Sequence, residues 1–512
     1  MIKEFIRWAG WKMIDATNDN ITEKQYIETR IRNWIYSKAR LDQLTGERYY
    51  LGQHDILTKK RTVIGQCGDV EEVHNLPNNK RIDNEVAKYI DQKNNYILGK
   101  PISFECEDEE YIKDVRKILN NRFRRTLKRL GQNSLIGGIA WLCPYISEDG
   151  KLMFRDFPAY EILPIWEDTA HTELKMAIRL YEEEKPNAKS EHDTIQRVEV
   201  FTKNGIKYYT YENNGLHEDP MRPDAAYIKI KRGDDVELRN WDKIPLIPFK
   251  LNSKEIPLIN RCKNLQDAIN EIISSFKDNM EEDSRNTIIV LDNYDGQDLG
   301  EFRKNLAQYG AIKVRSADGA RGDVRTLHIE VNYANYESIL NIFKTAIKKN
   351  CRGYDFSDLN KAAADPNQMN IKSILSDTDI DANDMEIEFQ AAFEEVFWFI
   401  DHYQSNVDED REVKVIFNRD GIINEIEVMQ MLIAAGLKLS QRTLREQCPY
   451  VNDVDKEEEL VEEDEKKAMD AYGAMLPMTG KQPNGAVQKN PVKQTNERLK
   501  QMGGTPYAQP KQ

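Results

Sequence analysis

No apolar run in the sequence approaches the roughly 20 residues that a membrane-spanning helix needs. The six cysteines (Cys67, Cys106, Cys143, Cys262, Cys351 and Cys448) include no CxxC pair and have no histidine at ligand spacing. They read as reduced thiols, not as bridges or a zinc site, and so point to a reducing compartment such as the cytoplasm. Positive charge is not in excess: 73 Lys and Arg stand against 87 Asp and Glu, a formal net charge of -14. The chain as a whole repels phosphate, whereas a general nucleic-acid binder is usually basic. GxSxG, HExxH and GxGxxG are all missing and the seven histidines are scattered, so neither a nucleophilic triad nor a metal hydrolase has a scaffold. The nearest approach to a phosphate loop, NYILGKP, lacks the opening glycine and has Pro101 where the magnesium-binding hydroxyl belongs. The amino terminus, MIKEFIRWAGWKMID, alternates apolar with charged residues instead of forming a signal-peptide core, and reads as a packing helix.

What the sequence does have is size and a changing period. Its 512 residues, 40% of them hydrophobic, can bury a large core. Up to about residue 138, apolar residues recur at helical spacing, as at Val86, Tyr89, Ile90 and Ile97. From 139 to 252 the period changes to two, and SEDG, KNG and ENNG separate β-rich runs, which predicts antiparallel hairpins. The pattern then returns to helix over 258–285, with Leu258, Cys262, Leu265, Ile269, Ile273 and Phe276 on one face. A compact insert of short strands around a helix is predicted over 286–330, and a second helix over 331–352 carries Tyr336, Ile339, Leu340, Phe343 and Ile347. Residues 353–372 read as a loop, because YDFSDLNKAAADPNQMN is too small and polar to make a core. A long helix follows over 373–410, then a mixed and partly acidic region over 411–472. The segment 473–512 has the composition of a disordered tail.

Three clusters are candidate sites. In DTDIDANDMEIE, Asp377, Asp379, Asp381 and Glu388 reproduce part of a calcium loop. Ala382 stands where that loop needs glycine, however, and a solvated acidic helix start is the simpler reading. The densest basic run is Arg122, Arg124, Arg125, Lys128 and Arg129, which reads as a solvated or protein-contacting helix surface. Lys344, Lys348, Lys349 and Arg352 form a smaller strip on the second long helix. They would line or flank a channel if that helix does; otherwise they complement the helix carboxyl end.

RIDNEVAKYIDQKNNYILGKPISFE resembles the early helix-and-turn signature of the portal family of long-tailed phages of Gram-positive hosts. IPLIPFKLN with LQDAINEIISSFKDNMEED resembles the lead into its first stem helix, and TIIVLDNYDGQDLGEFRKNLAQYGAIKV resembles its clip. VKVIFNRDGIINEIEVMQMLIAAGLKLSQRTLREQCPYVNDVDKEEELVEED resembles its crown. The blocks keep one order from residue 81 to 464. The family's loop tends to be glycine-rich, whereas this one has Ala362, Ala363, Ala364, Asp365 and Pro366.

The resemblance implies an α+β portal fold. Residues 1–138 form the helical part of a wing and 139–252 its antiparallel β part. Stem helices at 253–285 and 331–352 flank a small α/β clip at 286–330. A tunnel loop (353–372), a long wing helix (373–410), a crown (411–472) and the tail complete the chain. Implied with the fold are a ring of twelve subunits, thirteen when free, and a channel for packaging and ejecting double-stranded DNA. Twelve helices about 10 Å apart give a free bore of about 28 Å, wider than a DNA duplex. Ser357, Asn360, Lys361, Asn367 and Gln368 would touch DNA from the tunnel loop, and Asp292, Asn293, Tyr294 and Asp295 would lie at the clip's partner surface. The implied partners are terminase, a head-completion adaptor, scaffold and major capsid protein. The implied location is the virion's portal vertex, reached through the host cytoplasm, with procapsid nucleation as a further role and no membrane contact. The resemblance implies no catalysis, cofactor or metal. The alternatives are a magnesium nuclease using Asp377, Asp379 and Glu388, in which sequential carboxylates would have to do the work of converging ones, and a different head-tail adaptor or capsid subunit.

Overall fold

Thr22 opens the described part of the chain as the N-cap of helix α1 (Glu23–Ile35): its hydroxyl accepts from the Gln25 N–H while the Gln25 side chain returns the bond, a reciprocal capping box. The computed structural model describes residues 22–64, 69–74, 76–184, 194–232, 235–283, 288–292, 316–317, 320–321, 323–327, 333–355, 368–408, 411–419, 440–446 and a few positions between 448 and 467. These belong to two units, 1–422 and 423–512.

In the first unit, α2 (Lys38–Tyr50) leads to the hairpin β1 (Thr62–Ile64) and β2 (Val70–Glu72), followed by α3 (Glu85–Leu98), β3 (Ser103–Glu105), α4 (Glu109–Ile118) and α5 (Asn121–Gly137). Ser37, Asn84, Asp108 and Asn120 cap α2 to α5 through their side-chain oxygens, as short polar residues do where four helix N–H groups lack partners. Gly138 then turns the chain from α5 into β4 (Ile139–Ile146) at φ +80°, and a Cβ there would run into the Glu255 carbonyl. Only glycine fits both conditions.

The period-two region forms two antiparallel sheets. One is β13–β4–β5, with β5 at Leu152–Pro158 and β13 at Ile247–Lys250. The other is a meander in the order β10–β9–β8–β7–β6, from β6 (Ile162–Trp166), β7 (Leu174–Glu184), β8 (Thr194–Thr202), β9 (Gly205–Glu212) and β10 (Gly215–Glu218). The ENNG turn joins β9 to β10 with Asn213 and Asn214 at φ 51° and 62°, the positive values a two-residue hairpin needs. Between the sheets in sequence lies the hairpin β11 (Ile228–Arg232) and β12 (Asp235–Arg239). Helix α1 packs Ile27, Ile31 and Trp34 against Leu163, Ile178, Val198 and Val200 of the meander, so the first described helix belongs to the β region's core.

Helix α6 runs over Ile259–Asp283. Beyond it lie β14 (Ile288–Asp292), the short pair β15 (Ser316–Ala317) and β16 (Ala320–Arg321), and β17 (Asp323–Leu327), which pairs with β14. The predicted insert helix at 298–310 and the strand AIKVR lie outside the described residues. Helix α7 spans Tyr333–Asn350 and α8 spans Gln368–Gln404. The expected loop of 353–372 is therefore shorter: 368–372 already belong to α8. Pro366 cannot sit inside a helix but is tolerated just ahead of one, and QMNIKS beyond it contains good helix formers. After α8, β18 (Lys414–Ile416) returns to pair with β3. The main core joins α3, α5, β4 and β13 to the aromatic face of α8, where Phe389, Phe393 and Val396 are wholly buried.

In the second unit, α9 (Gln441–Glu446) is described, and its Arg445 pairs with Glu458 at 3.3 Å. Most of the region 411–472, expected as a crown, and the tail lie outside the described residues. Among the described residues, no helix is long and apolar enough to cross a membrane.

Candidate functional site: a helical hairpin and its root

Two long helices that can stand side by side need a shared apolar seam and a fixed base. Helices α6 and α7 have both. Phe276 meets the rings of Tyr333 and Tyr336 at the start of α7, with centroids 6.1 and 5.0 Å away. Cys262, near the start of α6, lies against Cys351 just past the end of α7. The helices are therefore antiparallel. The adjoining Cys351 thiol and burial both push the Cys262 thiol upward, so it is an inert core thiol, not a nucleophile.

A second face of α6 is polar yet fully buried. Gln266, Asn270, Ser274 and Asp278, spaced at four residues, are all 0% exposed. They meet the backbone of 79–86. Asp278 Oδ1 accepts from the Asn79 N–H (2.6 Å), Ser274 Oγ from Arg81 (2.9 Å), Asn270 Oδ1 from Asp83 (3.0 Å) and Gln266 Oε1 from Glu85 (3.0 Å). Alternate residues of an extended chain advance about 6.6 Å, and one step of four along a helix advances about 6 Å, so the two repeats stay in step over four rungs. The helix thus treats residues 79–86 as a neighbouring strand would, satisfying N–H groups that burial would otherwise strand. Lys59 and Arg61 stand 3.7 and 3.8 Å from Asp278 Oδ2. Asn270 Nδ2 also lies 2.7 Å from His54 Nδ1, and burial lowers the pKa of His54.

The root of the segment 356–367 is pinned from three sides. Just past the end of α7, Arg352 takes φ 48° and the Gly353 N–H donates back to the Lys348 carbonyl at 3.0 Å, a left-handed C-terminal cap. A Cβ on Gly353 would strike the Tyr89 ring of α3. The Arg352 carbonyl accepts from Lys93 Nζ (3.2 Å) and Thr378 Oγ1 (2.8 Å). Gln92 brackets Tyr354, donating to its carbonyl (2.9 Å) and accepting its N–H (3.1 Å). At the centre, Asp381 of α8 receives Lys93 (2.8 Å), Arg261 (3.0 Å) and Arg352 (2.6 Å). Burial alone would raise the Asp381 carboxyl, but Lys93 and Arg261 outweigh it and hold the group below its ordinary range. Burial lowers Lys93 even against the pull of Asp381. A lone carboxylate facing three cations is thus the keystone joining α3, α6, α7 and α8.

Some of the expected site residues have a definite place. Lys344 pairs with Asp83 (2.6 Å) and Glu85 (3.5 Å), so it clamps α7 to the polar ladder, while Lys349 is exposed. Ser357, Asn360, Lys361, Asn367, Asn293, Tyr294 and Asp295 lie outside the described residues. Gln368 is the first residue of α8, and Asp292 the last of β14. The calcium-loop candidates sit on the uninterrupted helix α8, not on a loop. Asp379 accepts from Tyr96 (2.6 Å) and Arg419 (2.8 Å) and Asp381 is taken by its three cations, so they do not converge on a shared centre. Among the described residues no group of three or more His, Cys, Asp or Glu side chains is placed to hold a metal. From the basic run on α5, Arg129 forms a bidentate pair with Asp156, and Arg124 donates to the Gly99 carbonyl at 2.9 Å. The ladder and Lys93 were not singled out from sequence. A detectable signal was the row of four small or uncharged-to-acidic polar residues at i, i+4, i+8 and i+12 on α6, with no Lys or Arg among them.

The amino-acid sequence is similar to those of two phage proteins. The portal protein of Bacillus phage SPP1 is 27% identical over 449 residues, covering 85% of each chain. The portal protein of Clostridium phage phiCD119 is 24% identical over 451 residues, covering 85% of this chain and 96% of that one. A chain from the neck of an empty GTA particle, computed with C6 symmetry, superposes with a TM-score of 0.39 at 10% identity over 71% of this chain and 89% of that one, too distant a likeness to carry an argument. The class is that of phage portal proteins. Within it, the profile described as phage portal protein, SPP1 Gp6-like, matches residues 31–471, and the chain belongs to that family.

Proposed function

We propose that copies of this chain assemble into a ring of twelve, thirteen when free, around a channel that passes double-stranded DNA, with α6 and α7 as the stem wall and the segment 356–367 nearest the duplex. The observation that carries this reading is the pinned root of that segment. Cys351 to Tyr354 are held by α3 and α8 through at least five hydrogen bonds and ion pairs, the anchoring a short segment needs to bear on a moving polymer. Ser357, Asn360, Lys361, Asn367 and Gln368 offer polar contacts to the phosphate backbone, and the exposed Lys349 flanks them. Lys348 belongs to the same strip, whereas Lys344 and Arg352 act by holding the stem to the body. The net charge of -14 suits transport, since neutralising many phosphates at once would release counterions and stall the DNA.

The insert around Asp292, Asn293, Tyr294 and Asp295 serves as the clip, meeting the terminase motor and later the head-completion adaptor. The β region and amino-terminal helices meet scaffold and capsid protein at the virion vertex. The role is structural rather than catalytic. Lys361→Ala combined with Asn367→Ala tests the channel reading. DNase-protected DNA per procapsid falls severalfold while ring assembly is unchanged; packaging at wild-type yield contradicts a DNA contact in this segment.

A further inference from the structure

The outer face of α8 and a cleft beside α5 are complementary, and neither is occupied within the described chain. On α8, Ile380 and Ile387 are 48% and 65% exposed, seven residues apart and hence on one face about 10 Å from each other. Asp384 lies between them, and Asp377 and Glu394 extend the same exposed stripe. None of the three acids makes an ion pair among the described residues. The cleft has a volume of about 230 Å³ and is lined by Leu98, Ile102, Phe104, Leu119, Phe123 and Leu127. Its charged lining residues are Lys100, Arg116, Arg124 and Lys128, with no carboxylate. Arg116 and Lys128 are exposed and without an ion pair among the described residues.

We infer that the acidic, isoleucine-bearing face of α8 in one copy docks into the basic cleft between α4 and α5 of the next copy, so that the two surfaces form a head-to-tail contact that closes the ring. The inference rests on the ring reading above and deepens it by naming the surfaces. A contact between two different patches is heterologous, the kind that generates rings when the rotation closes. Chains of net charge -14 repel one another at long range, so assembly needs a local match of opposite sign. Here Asp377 and Asp384 are offered to Arg116 and Lys128, while the isoleucines reach the apolar floor. A bare basic cleft could hold any polyanion; the unpartnered apolar side chains among the acids select a second copy.

The test uses the full-length chain and two charge reversals, Arg116→Glu with Lys128→Glu, and Asp377→Lys with Asp384→Lys. Native mass spectrometry reads the ring fraction, and thermal unfolding reports whether each subunit is folded. Each one-sided variant loses rings at least tenfold. Mixing the two restores them, as alternating rings of even copy number, because every contact is again between opposite charges. An independent readout is Lys128→Cys with Asp384→Cys, which on oxidation with copper phenanthroline gives a covalent ladder of subunits on a non-reducing gel. Rings unaffected by one-sided reversal, a mixture that assembles no better than its components, or assembled rings that give no ladder overturn the docking proposal and leave the ring standing. A wild-type chain that never forms rings overturns the ring reading itself, and this proposal with it.

Discussion

Lys93 Nζ lies 2.8 Å from Asp381 Oδ2, a contact between α3 and α8 across 288 residues of sequence. Arg261 and Arg352 share the same carboxylate, so its removal leaves three cations facing one another, with Lys93 almost fully buried. Asp381→Asn is expected to destabilise the chain by about 3–5 kcal/mol, the usual result of stripping one partner from a buried pair. Urea unfolding checks the midpoint.

The same group sets an acid limb. Its folded carboxyl titrates below the ordinary value of 3.8, so its contribution is full above that value and is lost as pH falls through the lower folded one. The wild-type chain loses stability below about pH 4 more steeply than Asp381→Asn does, which parallel urea titrations would show. Equal slopes would remove Asp381 from this role.

The polar ladder predicts a local opening. Asn270→Ala leaves the Asp83 N–H without its acceptor, while the Gln266 amide keeps the Asp83 carbonyl, at a cost of about 1–3 kcal/mol. Hydrogen exchange should speed up in residues 79–86 before it changes in the meander.

How much of this was legible in the sequence depended on whether each constraint was local. The apolar spacing from Leu258 onward located α6, and the Asn-Gly turn at 214–215 located β9 and β10, because both signals come from neighbours in sequence. The start of α8 was placed five residues late: the polar run ahead of it looks like loop, although QMNIKS contains good helix formers. Asp381 read as part of a solvated acidic helix start because its true partners, Lys93, Arg261 and Arg352, lie on other elements. Gln266, Asn270, Ser274 and Asp278 were not singled out, since polarity alone does not tell water from a buried backbone edge.

Gly353 carries a steric prediction. A methyl group there meets the Tyr89 ring, so Gly353→Ala costs about 1–3 kcal/mol through overpacking and loosens the root of 356–367. Differential scanning calorimetry gives the cost, and protease cleavage within 356–367 should become faster.

Thiol labelling separates core from surface. Cys143, Cys262 and Cys351 are buried, and Cys106 and Cys448 are partly exposed. Burial raises the Cys143 thiol, while the adjoining Cys351 thiol and burial raise that of Cys262. In the native chain a charged disulfide reagent labels Cys106 and Cys448 and spares Cys143, Cys262 and Cys351, as peptide mapping would show; labelling of Cys262 at a comparable rate would mean that the α6–α7 seam opens.

The ring is the central claim, and native mass spectrometry of the purified full-length chain, with class averages from negative stain, tests it most directly. The account predicts a closed ring of twelve or thirteen subunits with an open centre and a protruding helical stem. A monomer that stays dissociated at high concentration, or a ring without a stem, would contradict it.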